Sequence, residues 1–162
     1  MEHIDKILLH IGCANRLYEG FVNIDKFTVS PRGKSYTLDK VMDIGKTWDY
    51  ADESVDGIVS MHVLQQITWR ELVVALREAY RVLKKGGVMR IGVPTIENGR
   101  SLDYLLGWAN INLYSVELLS LVLVKHIGFT GCKYCKYQET AIPEFAQVDN
   151  RPDQTFYFEV TK

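Results

Sequence analysis

The sequence predicts one α/β domain over residues 1–162: a mostly parallel sheet of about seven strands, an antiparallel C-terminal edge, and helices on both faces. Three observations carry that expectation. Short apolar, β-branched runs recur along the chain, several closed by an acid or a glycine. A capped amphipathic helix lies between the fourth and fifth of these runs. The last two runs are joined by a polar loop that contains proline, as neighbouring antiparallel strands would be.

Ile7 to Ile11 reads as a buried strand running into a turn at Gly12. Phe21 to Ile24, closed by Asp25, is the second strand, and Lys40 to Met42, closed by Asp43, the third. Gly12 and Asp25 stand only 13 positions apart. A helical crossover needs about a dozen residues plus turns, so the first helix is short or replaced by a loop. Val55 to Met61 and Gly87 to Val93 are the fourth and fifth strands, the latter stopped by Pro94. Between them Thr68 and Glu71 have the spacing of a capping box, and Leu72, Val73, Leu76, Ala79, Tyr80 and Leu83 recur at helical period. Lys84, Lys85, Gly86 and Gly87 are expected to end that helix, cations at the negative end of its dipole and then glycine. A second helix is expected from Ser115 to about His126, apolar nearly all round and therefore buried on more than one side. Phe129 to Gln138 and Thr155 to Thr161 complete the sheet.

The composition is that of a globular protein, 47% hydrophobic and 24% charged. Nineteen basic residues against 20 acidic ones leave a net charge of -1, so neither nucleic acid nor a membrane is expected as a partner. The first residues are acidic with a short apolar run, unlike a secretory leader, and Leu118 to Val124 is far too short to span a bilayer. Three cysteines suit reduced thiols in a cytoplasmic setting. Cys132 and Cys135 form a C-x-x-C, but only His126 lies nearby to help hold a metal, and positions three apart on a strand face opposite ways. They read as ordinary thiols, with no metal site.

Ligands of such sheets bind outside the carboxyl ends of the strands. His10, Gly12, Cys13, Asp25, Asp43 and His62 should all fall on that one rim. Their sequence contexts resemble a known family. Residues 10–16 (HIGCANR), 19–25 (EGFVNID), 41–45 (VMDIG), 54–64 (SVDGIVSMHVL) and 81–94 (RVLKKGGVMRIGVP) resemble, in order, the motifs of small class I, Rossmann-like, S-adenosylmethionine-dependent methyltransferases. The likeness runs over residues 7–94 and weakly again at 128–161.

The resemblance implies S-adenosylmethionine as cofactor, held by His10, Gly12, Cys13, Ala14, Asn15, Asp25, Lys26, Asp43, Ile44 and His62. Gly12 would let the backbone approach the cofactor, and the loop amides would face its carboxylate. Asp25 would accept the ribose hydroxyls, and Asp43 with the Ile44 backbone would receive the adenine amino group. The implied reaction is direct in-line methyl transfer to a small-molecule or glycan-like acceptor, with His62 as a base toward a hydroxyl.

Three departures bear on activity. Ala14 replaces the second glycine of the usual G-x-G turn and is accommodated if its φ stays negative. The first crossover is short. Gln65 and Gln66 stand where relatives carry ionisable Glu and His, so those groups supply no base here. The alternative reading is therefore a catalytically silent module with an assembly or regulatory role. A nicotinamide oxidoreductase is disfavoured by the lack of G-x-G-x-x-G. Tyr104, Trp108 and Tyr114 are candidates to line an acceptor pocket or lid, and the apolar 101–124 region to form a homodimer contact.

Overall fold

The computed structural model describes residues 6–97, 111, 112 and 114–162. Seven strands form one sheet: β1 Leu8–Ile11, β2 Val22–Asp25, β3 Lys40–Val41, β4 Val55–Met61, β5 Leu83–Val93, β6 Thr130–Cys135 and β7 Phe156–Thr161. Their order is β3-β2-β1-β4-β5-β7-β6. β1 to β5 pair in parallel, and β7 lies antiparallel between β5 and β6. The chain builds outward from β1 to β3, then returns to β4 on the other side of β1. That reversal opens a crevice at the strands' carboxyl ends.

Helix α1, Trp69–Val82, begins with the expected capping box: Thr68 Oγ1 accepts from the Glu71 amide and Glu71 Oε2 accepts from the Thr68 amide. Its Leu72, Ala75, Leu76, Ala79 and Val82 are buried in one layer with Leu9, Ile58, Met89 and Ile91 of the sheet. Helix α2, Val116–Leu121, is capped by Ser115 Oγ and passes into a π turn, Val122–Ile127, that ends on left-handed Gly128. Leu119 and Leu123 of this stretch join the same layer.

The two faces are covered unequally. The opposite layer, built on Leu8, Val59, Met61 and Tyr157, is closed by Ile142 and by Phe145 of a 3₁₀ turn, Pro143–Gln147. A Cβ on Gly57 would stand 2.7 Å from both Ile142 and Phe145, so the missing side chain lets this loop lie directly on the sheet. One guanidinium holds the loop there. Arg90 of β5 is fully buried and donates to Asp149 from Nε and Nη2 at 2.8 and 2.6 Å. Its Nη1 donates to Glu159 at 3.0 Å and to the Glu139 carbonyl, and Nη2 to the Lys136 carbonyl. All five N–H groups of the fork are thereby used.

Three expectations change. α1 stops at Val82, before the lysines, because Leu83 is already extended and pairs with Val55 of β4. Lys84 consequently reaches Asp56 at 2.7 Å instead of the helix dipole. The 115–127 helix is not buried on several sides: Leu118 and Leu121 are 38% and 48% exposed, and only the Leu119–Leu123 stripe is fully covered. Tyr114 is core, its hydroxyl donating to the Leu64 carbonyl, so it lines no acceptor pocket. Tyr104 and Trp108, with the 101–110 part of the expected dimer contact, lie outside the described residues. No helix links β1 to β2, in keeping with the short spacing. Cys132 packs toward the helical layer and Cys135 into the opposite one, as positions three apart on a strand must.

Breaking a buried ion pair from one side leaves an uncompensated charge, which costs about 3–5 kcal/mol. Asp149→Ala is therefore expected to lower unfolding stability by about that amount, measured by urea denaturation, because Arg90 keeps its burial and loses two bonds. A loss below about 1 kcal/mol would show that the pair does not anchor the loop.

Candidate functional site

The ends of β1, β2, β3 and β4 converge on a cavity of about 1010 Å³. His10, Gly12, Cys13, Ala14, Asn15, Asp25, Lys26, Asp43, Ile44 and His62 all line it, so residues chosen from four separate segments meet at one place. Asn23 holds the β1–β2 loop where a helix would otherwise stand. Its Oδ1 accepts from the Tyr18 amide, and its Nδ2 donates to the Tyr18 carbonyl and to Asp39. The Asn23 amide, and after it the Asn23 Nδ2 group, donate to Asp39 and draw its carboxyl below the usual range.

Asp25 pins the rim to this loop. Its Oδ2 accepts from the Ala14 amide at 2.9 Å and its Oδ1 from the Phe27 amide at 3.1 Å. The expectation for Ala14 fails: its φ is 48°, the left-handed region that a glycine would adopt more readily, and the Asp25 bond holds it there. The reason for Gly12 also differs in part. Its φ is 67°, and an added Cβ would lie 2.2 Å from Val63 Cγ2, so it serves packing within the protein. The Cys13 amide is spent on the Ile24 carbonyl and the Ala14 amide on Asp25, so not every loop amide faces the cavity.

Asp43 closes its own turn by accepting from the Gly45 amide at 3.0 Å, and Lys46 stands 3.9 Å from its other oxygen. Asp25 and Asp43 are thus loop caps as well as rim carboxylates. A carboxylate oxygen accepts more than one bond, so both retain capacity for a ligand.

Both histidines are buried and neutral. His10 packs at a tilt against the Tyr18 ring and lies 3.3 Å from Asn23 Oδ1; burial pushes its pKa down to about 4. His62, at φ 58°, has its pKa lowered to about 3, by burial first and then by the charges of Arg151 and Arg16. Its Nε2 is 2.7 Å from Thr155 Oγ1. The single Thr155 proton is directed at the Asn150 and Arg151 carbonyls, so Nε2 must donate and the ring lone pair sits on Nδ1. Burial likewise raises the Cys13 thiol to about 12 and keeps it un-ionised.

The sequence reading missed much of the wall. Phe27, Val29, Ser30, Pro31 and Tyr36 enter from a turn between β2 and β3, closed by the Tyr36–Thr28 and Ser30–Lys34 backbone bonds. The Pro31-Arg32-Gly33 run signalled a turn there, though not its place over the rim. Val148, Asn150 and Arg151 arrive from the far end of the chain on the loop that Arg90 anchors, and no local pattern marks them.

Residues 22–91 match the protein family described as a methyltransferase domain. In fold the chain is similar to a SAM-dependent methyltransferase from Archaeoglobus fulgidus, with TM-score 0.69, 16% identity, and 97% of this chain and 86% of that one covered. It is also similar to a possible histamine N-methyltransferase from Thermotoga maritima, with TM-score 0.67, 18% identity, and coverage of 96% and 82%. A third structure, Haemonchus contortus phosphoethanolamine N-methyltransferase 2 in complex with S-adenosyl-L-methionine, has TM-score 0.61 at 14% identity, covering 97% of this chain and 48% of that one. No curated protein sequence matches the chain.

Two outcomes test this geometry. His10 and His62 titrate near 6.5 when unfolded but only at about 4 and about 3 when folded, so below pH 6.5 the unfolded chain binds more protons. Stability should fall as pH drops from 6.5 toward 4, by about 1.4 kcal/mol per pH unit for each histidine, seen in urea midpoints. A midpoint flat across that window would contradict the neutral, buried state. Ala14→Gly should stabilise the fold by about 0.5–1 kcal/mol, because glycine removes the left-handed strain and gives back part of the gain as chain entropy. A melting temperature lowered by that change would argue against the strain.

Proposed function

From the match of residues 22–91 to a methyltransferase-domain family and the similarity in fold over nearly the whole chain, we propose that this chain is a class I methyltransferase that binds S-adenosylmethionine in the rim cavity and methylates a small-molecule or glycan-like acceptor. The observation that carries this reading is the convergence of four strand ends on one cavity large enough for a nucleoside-sized ligand, with a carboxylate at the end of β2 and another beyond β3.

The residues present fit the cofactor. Asp25 retains acceptor capacity that would take the ribose hydroxyls, Asp43 with the Ile44 backbone would receive the adenine edge, and Phe27, Val29 and Ile67 supply apolar wall. His10, Gly12, Cys13, Ala14, Asn15 and Lys26 form the rest of the cradle beside the β1–β2 loop. The cofactor, when bound, supplies an activated methyl group, so the protein's share is position and approach. His62 acts here as a neutral hydrogen-bonding wall, because a conjugate acid of pKa about 3 makes a weak base. The silent-module alternative is not favoured by the family match. No helix among the described residues is long and apolar enough to cross a membrane. The free thiols of Cys13, Cys132 and Cys135 suit a reducing, cytoplasmic setting.

Titration calorimetry with S-adenosylmethionine and S-adenosylhomocysteine tests the proposal. Micromolar binding is expected, weakened about 10- to 100-fold in Asp25→Ala by loss of about 1.4–2.7 kcal/mol. Asp25→Asn, which retains an oxygen for the Ala14 amide, separates ligand loss from loop loss. A folded wild-type protein that binds neither compound overturns the reading.

A further inference from the structure

We propose that the acceptor is a phosphate monoester, its dianion held between the guanidinium groups of Arg16 and Arg151 at the His62 end of the cavity; this rests on the cofactor reading above. Both arginines line the cavity with His62, Tyr18 and Asn150. They come from separate segments, Arg16 on the β1–β2 loop and Arg151 on the turn before β7, and the charges of both reach the His62 ring.

Arg151 sits in a turn built to present it. Its φ is 51°, a backbone state that glycine adopts more readily than arginine. The turn is nonetheless held firmly: Thr155 Oγ1 donates toward the Asn150 and Arg151 carbonyls, the Gln154 amide to the Arg151 carbonyl, and the Tyr157 hydroxyl to the Asn150 carbonyl at 2.6 Å. Ala14 and His62 share the left-handed state and line the same cavity. Strain maintained by surrounding bonds at a cavity wall points to a binding role for the side chain it displays.

The charge distribution favours an anion at this end. The cavity's two carboxylates lie elsewhere, Asp25 on β2 accepting two backbone amides and Asp43 beyond β3 near Lys46. Among the described residues no carboxylate stands within ion-pair distance of Arg16. A sulfonium donor is itself a cation, so an anion beside Arg16 would offset the repulsion between that guanidinium and the donor. A phosphate monoester carries close to two negative charges and presents several oxygens to two planar forks, whereas a carboxylate neutralises only one.

The test titrates inorganic phosphate into protein saturated with S-adenosylhomocysteine, for wild type, Arg16→Gln and Arg151→Gln, with acetate as comparator. Expected is phosphate binding to wild type, weakened at least about tenfold in each variant, and acetate binding at least about tenfold weaker than phosphate. S-adenosylhomocysteine affinity should stay within about twofold, and circular dichroism should confirm that the variants fold. Unchanged phosphate binding in both variants, or acetate binding equal to phosphate, overturns the proposal. So does a loss of S-adenosylhomocysteine affinity in Arg16→Gln with phosphate binding intact, which assigns Arg16 to the cofactor. Repeating the phosphate titration without S-adenosylhomocysteine keeps the two readings apart: phosphate binding by a protein that ignores S-adenosylhomocysteine retains the anion site and discards the cofactor, and no phosphate binding in either state discards the site.

Discussion

The fully saturated guanidinium of Arg90 is the interaction on which the second half of this structure depends. A charge at zero exposure inside a parallel-strand core is tolerated only when every donor is used. Here the partners are Asp149, Glu159 and two carbonyls of the loop that follows β6. Glu159 stands directly across from Arg90 in the β5–β7 ladder and also accepts from the Ala141 amide, so one network ties two strands and a loop together. Among the described residues that loop, and no α-helix, covers this side of the sheet. Its far end delivers Val148, Asn150 and Arg151 to the cavity.

A similar economy shapes the other wall. Between β1 and β2 there is no room for a helix, and side-chain amides and carboxylates hold the backbone instead. Asn23 and Asp39 fix the loop from beneath, and Asp25 fixes it from the rim. The same residues that a ligand would meet are therefore those that shape the loop. Ala14, His62 and Arg151 all sit in left-handed backbone on this cavity, whereas most of the sheet is ordinary extended chain. Conformational cost is concentrated where the ligand would bind, as expected of a site held open by its surroundings.

Electrostatically the cavity has two ends. Carboxylates lie toward β2 and β3, and guanidinium groups lie around a histidine that burial keeps neutral. A ligand that spans the cavity would present hydroxyl and amine donors at one end and negative charge at the other. Methyl transfer from a sulfonium requires little proton chemistry from the protein, which suits a site whose histidines are poor bases and whose Cys13 thiol stays protonated.

Much of this was legible in the sequence for local reasons. Strand runs such as Val55 to Met61 announce themselves by apolar content, the Thr68–Glu71 box fixes where α1 begins, and strand-end residues Gly12, Asp25 and Asp43 are placed on the rim by parallel-sheet topology alone. The end of α1 was misread because Leu83 pairs with β4, a long-range contact that overrode the lysine–glycine signal. The left-handed state of Ala14 depends on a bond from a residue eleven positions away, and the second cavity wall depends on Arg90 meeting Asp149 across 59 positions. Sequence by itself determined the order of elements and one side of the site, because those follow from periodicity, caps and the residues at strand ends. Only tertiary structure decided how the loops close over the rim and which cations face His62, because those outcomes rest on hydrogen bonds between residues distant in the chain.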